Sequence, residues 1–217
     1  TGARNTALGR LALSTNTTAD NNTAVGSQSL EANTTASYNT AVGRDSLTAN
    51  TTGTANVAVG YYALATNTTA SSNTAVGYIA LGYNTTGAEN TAVGREALEA
   101  NTTGNYNTAV GALSLTDCTT GTLNTACGDV ALYTLTTGDQ NTAVGQQALY
   151  TNNGDYNTGV GHKALLSNTT GDRNTAVGLE ALEANTTSNY NTAVGSYALT
   201  TNTGAWNTAV GDAALGG

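Results

Sequence analysis

One phrase of seventeen residues, Asn-Thr-Ala-Val-Gly-x-x-Ala-Leu-x-x-Asn-Thr-Thr-Gly-x-x, recurs thirteen times and leaves almost nothing of the chain outside it. Copies begin at Asn5, Asn22, Asn39, Asn56, Asn73, Asn90, Asn107, Asn124, Asn141, Asn157, Asn174, Asn191 and Asn207. The step is 17 residues except for the two steps that end at Asn157 and Asn207, which are 16. Both short copies lose one residue of the Asn-Thr-Thr stretch (Asn152-Asn153-Gly154 and Asn202-Thr203-Gly204), which marks that stretch as a loop. A unit this small cannot bury a core of its own. The copies must stack, and residues 1–217 read as a single repeat array. It opens on the end of one copy and stops midway through another, with no atypical capping repeat, as expected of a segment of a longer chain.

With the positions of a copy numbered as slots, Asn in slot one, Gly in slot five and Leu in slot nine are the same in all thirteen copies. Slot two is Thr except Val57, slot three Ala except Gly159, and slot four Val except Leu8 and Cys127; slot eight is Ala or Ser. Slots six, seven, ten, sixteen and seventeen vary freely, as Arg10, Glu96, Lys163, Tyr61, Gln146 and Trp206 illustrate, and read as solvent positions. So strict a phase separates the chain from the disorder that its richness in Thr, Asn, Ala and Gly would otherwise suggest.

A Gly in every copy, with β-branched Thr and Val and turn-forming Asn, opposes helix. The spacing predicts two short strands per turn, Asn-Thr-Ala-Val and Ala-Leu-x-x, with bends at Gly-x-x and Asn-Thr-Thr-Gly. The expected fold is all-β: a parallel β-solenoid of about 13 coils with a 17-residue repeat. Stacking places each slot above its copy, so the slot-one Asn amides form a ladder, each able to donate to and accept from the next. The invariant Gly implies a positive φ or the close approach of a neighbouring backbone. Structural residues are therefore expected at Val25, Val42, Val76, Leu30, Leu47, Leu64, Leu81 and Leu98, with Asn22, Asn39, Gly26 and Gly43.

Side chains alternate along a strand, so Ala and Val of slots three and four face opposite ways, as do slots eight and nine. If the small residues fill a flattened interior, the Val and Leu rows lie outside as apolar stripes. Such stripes are better explained as a core shared between chains than as bare surface, which predicts a homotrimer around a shared apolar axis. The opposite assignment, Val and Leu inside with Ala outside, is the alternative.

The phrase Asn-Thr-Ala-Val-Gly-x-x-Ala resembles the head repeats of YadA-like trimeric autotransporter adhesins. The longer form, well seen from Asn73 to Leu81, resembles repeats of tail-fibre-like surface proteins of phages and bacteria. The resemblance covers essentially the whole chain, with a longer period than in the adhesin heads. It implies a trimer of left-handed parallel β-rolls and an extracellular, cell-surface or virion-fibre location.

Little else in the sequence points to chemistry. The formal charge of −8 and six scattered bases argue against nucleic acid as a partner, and no apolar run is long enough to insert this segment in a membrane. The one histidine, His162, lies beside Lys163 in variable slots, and the acids (Asp45, Glu96, Glu99, Glu180, Glu183) are not paired as glycoside hydrolysis requires. No slot is fixed as Asp, as calcium-binding β-rolls need, so no metal, cofactor or catalytic residue is expected. Cys118 and Cys127, nine residues apart or about half a turn, could bridge across the coil or between chains, or remain two separate thiols. The Asn-Thr-Thr bends make sequons of Asn16, Asn33, Asn50, Asn67, Asn84, Asn101, Asn168 and Asn185, and Asn21 begins another. These read either as glycosylation sites or as plain turn chemistry. Aromatics gather beside the bends, Tyr38, Tyr106, Tyr156, Tyr190 and Trp206 before a slot-one Asn and Tyr61, Tyr62, Tyr78 and Tyr197 after a slot-five Gly. They could form sugar- or partner-binding stripes or cover loop backbone.

The expected function is a non-enzymatic structural or adhesive fibre segment, a rigid trimeric shaft or head. It displays loops for attachment to a cell surface, extracellular matrix or glycan, with higher filament assembly open to it. Two alternatives stand beside it: an ice- or surface-binding solenoid using Thr ladders, and a glycan hydrolase sited in grooves between chains.

Overall fold

The computed structural model describes residues 2–216; Thr1 and Gly217, the two ends of the expected array, lie outside the described residues. The fold is all-β, a parallel β-solenoid in which each 17-residue copy makes one turn and supplies one three-residue strand from slots two to four. The chain forms two compact units, Thr1–Tyr106 and Asn107–Gly217. The first holds β1 (Thr6–Leu8), β2 (Thr23–Val25), β3 (Thr40–Val42), β4 (Val57–Val59), β5 (Thr74–Val76) and β6 (Thr91–Val93). The second holds β7 (Thr108–Val110), β8 (Thr125–Cys127), β9 (Thr142–Val144), β10 (Thr158–Val160), β11 (Thr175–Val177), β12 (Thr192–Val194) and β13 (Thr208–Val210). Within each unit the strands pair in chain order, slot against like slot; Ala41 lies opposite Ala58 and Ala176 opposite Ala193. The 16-residue copy keeps this register, with Thr142 opposite Thr158, because its missing residue comes from the loop.

The second strand expected at slots eight to eleven does not form. Slots seven, nine and seventeen take positive φ in every copy, between 49 and 64° for residues as ill-suited as Ile79, Val130 and the whole Leu row. Left-handed backbone costs an L-residue roughly 1–2 kcal/mol. Each of the three slots gains a backbone bond to an adjacent turn in return. The Gln28 N–H donates to the Arg10 carbonyl (2.8 Å), Leu30 N–H to Ser46 (3.1 Å) and Tyr38 N–H to Asp20 (3.2 Å).

That backbone also corrects the expected division of faces. With φ reversed at slots seven and nine the chain does not alternate there, and slots eight and nine both point inward. Leu30, Leu47, Leu64, Leu81 and Leu98 are fully buried, together with Ala24, Ala41 and Ala75 of slot three. The Leu row is thus the coil's own core rather than an outer stripe, each member contributing about 2 kcal/mol of burial. Only the Val row faces out: Val76 is 36% exposed, and Val25 and Val42 are half-buried. Neither sequence-based assignment is right as a whole. Where slot eight is Ser, as at Ser29 and Ser46, the buried hydroxyl donates to the Gly carbonyl three residues back.

Gly26 and Gly43 serve as expected. Their φ values are 134 and 135°, and a Cβ on either would sit 2.4 or 2.3 Å from the carbonyl oxygen of the next turn's glycine. Asn22 and Asn39 are buried, and in the first unit their slot links turns through backbone groups. The Asn39 side chain donates to the Gly53 carbonyl (2.9 Å), closing its own turn, and accepts from the backbone N–H of Asn56 (2.9 Å), joining the next. In the second unit the slot-one amides also bond one another, Asn124 donating to Asn107, Asn141 to Asn124 and Asn174 to Asn157, each at 3.2 Å, and a further ladder of side-chain amides runs along slot twelve. There Asn50 donates to Asn33, Asn67 to Asn50 and Asn84 to Asn67, at 2.9 to 3.1 Å.

Candidate functional surfaces

Three surfaces of the coil are chemically distinct. The first is the outward face of the strands, built from slots two and four because Ala in slot three turns inward. It carries Thr and Val, with Val57, Leu8 and Cys127 as the exceptions, and Val59, Val76, Val93, Val110, Val144, Val177 and Val194 are 36–38% exposed. None of the fourteen acids or six bases of the chain falls on it. Among the described residues no hydrogen bond uses the slot-two hydroxyls.

The second surface is a set of same-slot columns of flat side chains. In slot seventeen, Tyr156, Arg173, Tyr190 and Trp206 come from consecutive copies: the Arg173 guanidinium lies 5.0 Å from one tyrosine ring centroid and 5.6 Å from the other. Trp206 stacks on Tyr190 at 4.0 Å and 7°. Slot six stacks Tyr61 on Tyr78 (5.5 Å, 19°) with Arg44 over Tyr61, and slot ten stacks Tyr133 on Tyr150 (5.3 Å, 11°). Parallel stacking at the strand spacing of roughly 4.8 Å spends the ring faces on one another. Edges and hydroxyls are what these columns offer to solvent. Surface pairs in which an exposed arginine meets a half-buried acid, Arg44–Asp45 and Arg95–Glu96 (both 3.0 Å), accompany them and contribute little to stability.

The third is slot sixteen, read from sequence as merely solvated. Its side chains accept from the backbone N–H of the same slot one copy earlier: Asp155 from Asp139 and Asp172 from Asp155, both at 2.8 Å, and Asn189 from Asp172 at 2.7 Å. The signal was present in the sequence, since this slot is limited to Asp, Asn, Ser, Thr and Ala. These carboxylates cap backbone. Among the described residues no cluster of His, Cys, Asp and Glu is placed to hold a metal, and His162 is exposed in slot six.

The two cysteines are free: Cys118 is buried in slot twelve and Cys127 is exposed in slot four, pointing away from the interior. The bridge between them is therefore not formed, and the alternative of two separate thiols holds. Burial pushes the Cys118 thiol up from 9.0 to about 12. Below about pH 9 the thiol is neutral folded or unfolded and adds no pH dependence. Between about 9 and 12 the unfolded chain sheds a proton that the folded chain keeps, so stability falls as pH rises. We expect wild type to lose melting temperature through this window more steeply than Cys118→Ala. At neutral pH a thiol reagent should leave Cys118 unlabelled until the chain unfolds; labelling of Cys118 in the native protein would contradict its burial.

The structure closes seven of the sequons to glycosylation in the folded chain and leaves Asn16 and Asn21 half-buried. Asn33, Asn50, Asn67, Asn84, Asn101, Asn168 and Asn185 are fully buried, and half-buried Asn16 gives its amide to the Ala19 carbonyl (3.2 Å). A transferase could reach the seven buried amides only in the unfolded chain. Asn101 marks a flaw in the ladder. Its side-chain oxygen is the one buried side-chain polar atom among the described residues without a hydrogen-bond partner, and the next copy carries Cys118 in that slot. No family model matches the chain, and no curated protein does.

Proposed function

We propose that the chain is a non-enzymatic extracellular fibre segment, a rigid shaft or head that works as a homotrimer. The Thr/Val faces of three chains pack around a common axis, and the variable slots point outward as loops for attachment to a cell surface, extracellular matrix or glycan. The observation that carries this reading is the outward strand face: regular, half-exposed in its Val row, and free of charge in every copy of a chain with net charge −8. A face shared by identical chains must set each row against itself, and any charge there would meet its own sign. An apolar row repeated on the turns of each unit and left bare would be an aggregation surface. The resemblance to adhesin and tail-fibre repeats agrees with this placement on a cell surface or virion, and attachment through repeated loops would gain by avidity.

Native mass by light scattering tests the proposal, a trimer weighing about 65 kDa, three times the 21.7 kDa chain. Cys127 supplies a second readout, because it is the exposed thiol in the Val row. Mild oxidation should join chains through Cys127 in the trimer, and Cys127→Ser should abolish the cross-link without changing the mass. A folded monomer that resists cross-linking would sink the proposal. It would favour a second reading, ice or crystal-surface binding, which rests on the solvent-facing slot-two hydroxyls in register beside Val and would show itself as thermal hysteresis.

A further inference from the structure

The coil protects its asparagines with care: those of slots one and twelve are buried in nearly every copy, their amides bonded to backbone and to each other. Asn153 is different. It belongs to the first 16-residue copy, stands in slot thirteen where the other copies have Thr, is exposed, and is followed by Gly154. This is the one Asn-Gly dipeptide of the sequence. Three donors converge on the Asn153 side-chain oxygen: the Thr136 backbone N–H (2.8 Å), the Thr136 hydroxyl (2.8 Å) and the Thr137 N–H (3.4 Å). Among the described residues no hydrogen bond engages the Gly154 N–H.

We propose that Asn153–Gly154 is a site of spontaneous, self-directed backbone modification. The Gly154 nitrogen, its proton taken by solvent hydroxide, attacks the Asn153 Cγ. The new N–Cγ bond closes a five-membered imide, the Cγ–Nδ2 bond breaks, and the side-chain nitrogen leaves as ammonia with a proton from water. Water then opens the imide at either carbonyl, leaving aspartate or, with the chain rerouted through the side chain, isoaspartate. The net change is one water consumed and one ammonia released, with no redox partner. Glycine leaves the attacking nitrogen uncrowded. The negative charge that develops on the Asn153 oxygen during attack meets three donors already aimed at it, the arrangement that stabilises such intermediates in enzymes.

The two products differ in what they do to the coil. Aspartate keeps an acceptor for the Thr136 N–H. Isoaspartate adds a methylene to the main chain of a turn already one residue short. The Asn153 N–H bond to the Thr169 carbonyl (2.7 Å) and the Gly154 carbonyl that receives the Asn141 and Asn152 amides (both 2.9 Å) lie on either side of that insertion. The site is thus a slow chemical clock set into the array, and its late state is a weakened turn.

The test is peptide mapping by mass spectrometry of the intact chain held in warm, mildly alkaline buffer, beside a synthetic peptide of residues 149–157 in the same buffer. Conversion concentrated at Asn153, faster in the native chain than in the peptide and slowed several-fold by Thr136→Val, supports the proposal. Thr136 is exposed, so that variant should fold. A native chain slower than the peptide, or Thr136→Val converting at the wild-type rate, overturns it.

Discussion

Gly77→Ala should be the most damaging single-methyl change in the first unit. The added Cβ would stand 2.2 Å from the Gly94 carbonyl oxygen, and the residue would have to hold φ at 144°, a region L-residues avoid. Neither term can relax alone, because the obstructing atom is backbone and that backbone is fixed by the strand pair β5–β6. Conformational strain and overpacking together should cost about 3–6 kcal/mol. In an array whose stability is a sum over neighbouring turns, that loss concentrates where the interface is broken. We expect a lower melting temperature by circular dichroism and lost hydrogen-exchange protection centred on the copies that begin at Asn73 and Asn90. Gly204→Ala is the control: its nearest clash is a flexible side chain at 3.1 Å, and it should cost less than about 1 kcal/mol. Equal losses in both variants would mean that slot five is not the close-approach position described.

Asn39→Leu should rank next. It removes the donor to Gly53 and the acceptor for the Asn56 N–H, both at 2.9 Å in the buried interior. Gly53 keeps a bond from Asn50, so the carbonyl is still served, whereas the Asn56 N–H is left buried and alone. The expected loss, read by chemical denaturation, is about 2–4 kcal/mol, most of it from that orphaned donor. Asn39→Asp separates the two roles. An aspartate retains the acceptor, but to donate to Gly53 it must hold a proton, so this variant should be more stable in acid than at neutral pH. A flat pH response would show that the donor half of the amide matters little.

These residues also show where sequence reading succeeds and where it stops. The period, the parallel in-register stack and the strand at slots two to four follow from repetition and β-branched composition alone, and the Gly26 and Gly43 roles follow from an unvarying glycine. The inward turn of the Leu row does not, because it depends on left-handed backbone at Leu30 or Ile79, residues that give no warning of a positive φ as Gly or Asn would. Alternation was a sound rule applied to a segment that is not a strand. The sequons failed for a related reason. Asn-Thr-Thr reads equally well as an exposed bend, and only the stack reveals that Asn50 and Asn67 turn their amides inward to meet. Sequence separation leaves the cysteine pairing open, and direction decides it: Cys127 stands in the outward slot four and Cys118 in the inward slot twelve.

Within each unit, almost every bond that holds a turn runs between like or adjacent slots of neighbouring copies, so no turn needs to know its position in the series. Whole copies could be added or removed inside such a unit without creating a single new local environment, while one residue lost outside the Asn-Thr-Thr loop would shift every slot after it. Reach and cross-section are thereby uncoupled. Either unit can be made longer or shorter by gene duplication as freely as a chain is cut by the link, and the girth, chemistry and pitch of that unit stay as they were.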